Sequence, residues 1–89
     1  MSSRRPFDTQ LLALYDEHVA LVETLREVWA ASELNPENNE RLWLVRYRLS
    51  GLLNAVSVRI ATRTREVIRE GIGEYDYFTY IARDEDMHA

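Results

Sequence analysis

The chain has no cysteine among its 89 residues, so disulfides, thiolate metal sites and thiol nucleophiles are removed together. It has no lysine either: all eleven basic residues are arginine, a bias that suits a GC-rich bacterial or phage genome. Two prolines and three glycines leave few points at which a helix must break. No apolar run reaches the ~18–20 residues that a membrane span requires. The opening MSSRRPF carries its arginines with no apolar segment behind them, so no signal peptide is expected. Also missing are a glycine-rich phosphate loop, a Ser–His–Asp set with an oxyanion hole, and a paired-carboxylate motif. These absences predict a cytoplasmic, non-catalytic protein with no metal or cofactor, built as one domain over residues 1–89. A chain this short buries a thin core alone, and pairing with a second copy is the expected remedy.

What is present is helical periodicity. Apolar residues at Leu11, Leu14, Tyr15, Val22, Leu25, Val28 and Trp29 recur in steps of three and four, which predicts a first helix over residues 8–31. Leu12, Val19 and Leu21 widen that stripe to about half the circumference, beyond the ~100° that one neighbour covers. The connection ASELNPENNE offers Asn35 as a cap, Pro36 at a first helical position and Glu37 and Glu40 near the positive helix end. A second helix is then expected over 36–70, closed by Gly71 in the left-handed position with Ile72 packing back on Val67 in a Schellman arrangement. Tyr75, Phe78 and Ile81 share a helical spacing, so a short third helix is expected over 74–82, followed by a frayed tail over 83–89. The fold class is all-α: an antiparallel hairpin with a long second helix and a short C-terminal helix, dimerising into a helical bundle.

The second helix raises the question of what covers it. Between Leu49 and Ala61, Arg59 is the one charged residue. One stripe, Leu42, Val45, Leu49, Leu52, Leu53, Val56, Ile60 and Val67, is expected to face the first helix. The opposite side holds Trp43, Tyr47, Gly51, Asn54 and Val58. A helix that is apolar all round is a buried helix. These five residues are therefore the expected self-interface of a homodimer, with Asn54 fixing register. At ~1.5 Å per residue the second helix is also about three turns longer than the first. Residues 59–70 therefore need cover from the C-terminal segment or from a partner.

Charge is arranged in blocks around a net −4. The first helix and the last sixteen residues are acidic, and the segment from Arg41 to Arg69 carries seven arginines against Glu66. Opposed blocks suit antiparallel neighbours or a charged partner. His18 lies in the apolar stripe with Leu14 and Val22 as its i±4 neighbours, so a structural role is expected. Asp84 and His88 make an i, i+4 pair too sparse for a metal, since zinc takes three or four protein ligands.

The expected function is protein–protein interaction: an adaptor, regulator or inhibitor, suited in size to a phage or mobile element. Tyr75, Tyr77, Phe78 and Tyr80, with Arg59, Arg63, Arg65 and Arg69, are the expected contacts for an unidentified protein partner. One alternative is a nucleic-acid-binding regulator that uses the Arg59–Arg69 stripe on phosphates. A second is a small dimeric helical enzyme acting on an anionic metabolite near Arg46, Arg48 and Arg59.

Overall fold

A computed structural model describes residues 5–81. Helix α1 runs Thr9–Leu34, a 3₁₀ turn covers Pro36–Asn38, and helix α2 runs Asn39–Glu70. A short helix, α3, is described over residues 77–81. The two long helices pack together as a hairpin. The expected tail over 83–89, the Asp84–His88 pair and the last residue of the third helix lie outside the described residues.

Each boundary has a local cause. Asp8 has extended backbone (φ −60, ψ 125) and its Oδ2 accepts from the Leu11 N–H at 3.1 Å, so it caps α1 from just outside the helix. At the other end α1 continues three residues past the expected Ala31. There the Asn35 backbone N–H and side-chain amide both reach the Ala31 carbonyl, at 3.1 and 3.0 Å. Asn35 is then non-helical (φ −132, ψ 71), as a residue before proline prefers. Pro36 opens the 3₁₀ turn, so the α-helical part of the second helix begins at Asn39 and not at residue 36. Across this bend the buried Ser32 hydroxyl donates to Asn39 Oδ1 at 2.8 Å, tying the two helices where they turn.

Gly71 ends α2 with φ +63, the left-handed conformation that its lack of a Cβ permits. Its N–H bonds to the Val67 carbonyl at 2.6 Å, the single bond of the simpler left-handed cap. The expected Schellman arrangement pairs its bonds differently, with the Gly71 N–H reaching the carbonyl of residue 68, and Ile72 is 47% exposed. The third helix starts at residue 77 and not at 74, because Glu74 is engaged elsewhere. Asp76 caps it, its Oδ1 accepting from the Phe78 N–H at 2.9 Å.

Glu74 belongs to a feature absent from the sequence reading. Residues 6–8 and 74 form an isolated parallel bridge, with Asp8 N–H to Glu74 O and Glu74 N–H to Pro6 O both at 3.1 Å. Gly73 is buried beneath this strap, where an added Cβ would stand 3.0 Å from the Pro6 carbonyl oxygen and 3.2 Å from the Asp8 nitrogen. The strap and the residues after it also supply the cover that the end of α2 needs. Val67 is fully buried, and Phe7, Tyr77 and Tyr80 join Leu11, Leu14, Tyr15, Val56 and Ile60 in one cluster.

The core therefore sits at one end of the hairpin. Its extents of 58 × 31 × 14 Å describe a slab, and 14 Å is little more than one helix with its side chains. A single layer of helices leaves both broad faces open.

The strap gives the first test. Gly73→Ala inserts a methyl against two main-chain atoms that can move only if the bridge opens. Overpacking of this kind costs about 1–3 kcal/mol, which in a chain of this size is a fall in melting temperature of about 4 °C or more. Thermal denaturation followed by circular dichroism measures it, and an unchanged melting temperature would mean that the strap is not under constraint.

Candidate interaction surface

At the core end, three elements meet on one carboxylate. Asp8 is 8% exposed. Arg63 on α2 donates to both of its oxygens, Nε to Oδ2 at 3.0 Å and Nη2 to Oδ1 at 2.8 Å. This forked pairing is the geometry in which arginine binds carboxylates most strongly. The remaining Nη1 donates to Glu66 Oε2 at 2.9 Å. The paired arginine N–H donors hold the Asp8 carboxyl below its ordinary value of 3.8, against burial, which acts in the opposite direction. The same bonds, to Asp8 first and Glu66 second, raise Arg63 well above the usual arginine value.

Around this clasp lies an aromatic cluster. Tyr15 stands 4.8 Å from Tyr77 edge to face, 5.3 Å from Tyr80 and 5.8 Å from Phe7, centroid to centroid. Such tilted pairs are favoured over face-to-face stacks. The Tyr15 hydroxyl donates to the Tyr75 carbonyl and the Tyr80 hydroxyl to Asp16. Burial pushes the Tyr15 phenol above its ordinary 10.0, with the Thr64 side chain acting the other way. His18 packs 6.0 Å from Tyr77 beside a shallow cleft of about 270 Å³, and its buried Nδ1 has no hydrogen-bond partner among the described residues.

The residues expected to contact a partner thus divide. Tyr77 and Tyr80 pack against the core and Arg63 is held in the clasp. Arg59 lies 3.7 Å from Glu17 on an exposed edge, a pairing worth little in water. Phe78 is 78% exposed and Tyr75 43%, and Arg65 and Arg69 are exposed in the last turns of α2. The stripe of Tyr75, Phe78 and Ile81 that indicated a helix points outward, while Tyr77 and Tyr80 point in.

The five residues of the expected self-interface are all exposed. Trp43 is 53%, Tyr47 69% and Val58 57% exposed, Asn54 is in solvent, and nothing lies within 4 Å of a Cβ built on Gly51. Trp43 stacks on Tyr47 at 5.7 Å with an interplanar angle of 19°. Next to them the guanidinium carbon of Arg46 lies over Trp29, 3.2 Å from the ring centroid, and its buried Nε has no hydrogen-bond partner among the described residues. Trp29, Trp43, Arg46, Tyr47 and Ser50 line a cleft of about 180 Å³ at this end.

A charged cleft of about 390 Å³ between α1 and α2 includes Glu17, Arg59, Arg63 and Glu66. Its arginines face carboxylates already, so it has no excess positive charge for an anion. Arg46 lies thirteen residues away on α2, about 20 Å along the axis. Among the described residues no three His, Asp or Glu side chains gather as a metal site requires, and no helix is long and apolar enough to cross a membrane. Comparison with protein-family models, curated proteins and solved structures finds no match.

The clasp predicts a pH dependence. With the folded value depressed, the unfolded chain binds more protons between the two values, so stability rises with pH there. The contribution of Asp8 is complete above about pH 5 and is lost as pH falls through the folded value. Asp8→Asn keeps a capping side chain but removes the charge. Its melting temperature is expected to lie several degrees below wild type at pH 7 and to fall less steeply between pH 5 and pH 2. Melts at a series of pH values measure this, and equal slopes for the two proteins would show that Asp8 is not the group responsible.

Proposed function

We propose that this chain works by binding protein surfaces, first a second copy of itself across α2 and then a separate protein, as an adaptor, regulator or inhibitor. The observation that carries this reading is the distribution of apolar surface. Among the described residues thirteen large apolar side chains are exposed, against six in the buried core. Contiguous patches of exposed aromatic and aliphatic groups on a small protein mark interaction sites. The best-built polar cluster, by contrast, has its donors and acceptors turned on one another across Asp8, Arg63 and Glu66.

Two regions share the work in this reading. The outer face of α2 supplies the self-interface, with Trp43, Tyr47 and Val58 as its apolar groups. Phe78, Tyr75, Ile72 and Ile68, with Arg65 and Arg69, offer the separate partner a patch at the opposite end of the molecule. A chain cut after Gly73 would be a poor test of that patch, because Glu74, Tyr77 and Tyr80 help to hold the fold.

Solution mass by light scattering over a concentration series tests the first half. Wild type is expected at twice its 10.5 kDa mass, and Tyr47→Glu with Val58→Glu at the monomer mass with unchanged far-ultraviolet circular dichroism. Wild type that stays monomeric from micromolar to millimolar concentration would refute self-association.

A further inference from the structure

Resting on the proposed self-association, we infer a specific geometry for it: two copies pair antiparallel along α2, with the two-fold axis passing midway between Gly51 and Asn54. The inference starts from spacing. From Glu40 to Arg65, exposed residues on α2 recur in alternating steps of four and three, the repeat by which one helix presents a continuous seam to another. The core face keeps the same period on the opposite side, where Leu42, Leu49, Val56 and Arg63, seven apart, are all buried or half-buried. One helix thus carries one buried stripe and a broad exposed side. On that side the Glu40–Arg65 series holds Leu44, Tyr47 and Val58 with no charge between its ends, whereas the neighbouring exposed series through Val45 and Leu52 also holds Arg41, Arg48 and Arg59.

Charge and size select the direction. In a parallel pair each seam residue meets its own copy, so Arg65 would face Arg65 and Glu40 would face Glu40, like charges at both ends. Gly51 would face Gly51 and leave a gap. Antiparallel pairing about the stated axis sets Glu40 against Arg65 of the partner, twice by symmetry, and so takes Arg65 out of the separate partner's patch and into the seam. It sets Leu44 against Ala61, Tyr47 against Val58, and Gly51 against Asn54, so that larger side chains meet smaller ones. Asn54 then has room over a glycine whose missing Cβ nothing else occupies. A polar side chain at one seam layer fixes register. Sliding the partner by one heptad puts Tyr47 on Arg65, Val58 on Asn54 and Gly51 on Ala61, and it leaves Glu40 without a cation.

Small residues flank the seam. Ser50, Ala55 and Ser57 are exposed beside it, and the Ser57 hydroxyl is turned back on the Leu53 carbonyl at 3.0 Å. Nothing bulky therefore stands between the helices near the axis. Trp43 lies at the seam's edge, stacked on Tyr47, where it covers the end of the Tyr47–Val58 contact.

The absence of native cysteine makes the test clean. Tyr47 and Val58 are eleven residues apart, about 16 Å along the helix, so cysteines there cannot join within one chain, since a disulfide needs Cα atoms within about 7 Å. A mixture of Y47C and V58C proteins is expected to give a mixed disulfide on mild oxidation, with little crosslinking of either protein alone. Glu40→Arg is expected to weaken dimerisation roughly tenfold, as is Arg65→Glu, and the double variant to restore it. Both positions are exposed, and circular dichroism verifies that each variant folds. Crosslinking of each single variant with itself would overturn the antiparallel geometry while leaving self-association standing. A dimeric wild type with neither kind of crosslink would overturn the seam. A monomeric wild type would remove the seam and the self-association together.

Discussion

The bond between Asp8 and Arg63 is the contact on which this fold depends. One buried carboxylate caps α1, receives both arms of an arginine from α2, and stands on a residue whose backbone N–H pairs with Glu74. The start of the first helix, the last turns of the second and the segment that follows are fixed by it together. Taking a carboxylate out of water is costly unless its oxygens are satisfied. Here each oxygen accepts at least one bond, and the arrangement holds only while all three elements are in place. The clasp therefore acts as a register mark for the hairpin, setting which turn of α1 faces which turn of α2.

Everything beyond the clasp follows from a shortage of layers. Two long helices and one short one cannot cover each other on all sides, and the aromatic cluster of Phe7, Tyr15, Tyr77 and Tyr80 closes one end only. Toward the Pro36 turn no third element lies among the described residues, and Trp29, Trp43 and Tyr47 cover one another in part and remain 47%, 53% and 69% exposed. The proposed seam lies across the middle of α2, where nothing among the described residues competes for it. In this account the fold is anchored at one end and completed along its length by a second chain.

How much of this could be read from sequence depends on the range of the interaction. The buried stripe of α2 and the Gly71 stop depend on residues within a turn or two and were legible in outline. But Val45 and Leu52, expected in that stripe, stand 43% and 55% exposed, and Asn35 ties off the end of α1 instead of capping the second helix with its side chain. The Phe7–Glu74 bridge joins segments 67 residues apart through main-chain groups, and no side-chain pattern announces it. Gly73 was the faint signal, a third glycine close to the helix stop whose need for space shows only once Pro6 lies against it. The choice of Arg63 over Arg59, Arg65 and Arg69 as the partner of Asp8 was equally hidden, because the pairing depends on how α1 is set along α2. In YDYFTY the sequence showed aromatics in helical spacing but not which side would face inward. Packing turned Tyr77 and Tyr80 in against the Tyr15 ring, with the Tyr80 hydroxyl donating to Asp16, and turned Phe78 out.

The central claim is that the molecule is clasped at one end and left open along α2 for a second copy. Amide hydrogen exchange followed residue by residue, at low and high protein concentration, tests both parts at once. At low concentration the account predicts slow exchange for Leu11, Val56, Val67 and Glu74, and faster exchange for α2 between Leu44 and Gly51. Raising the concentration should slow the second set more than the first. Equal protection along α2 at every concentration would contradict the account.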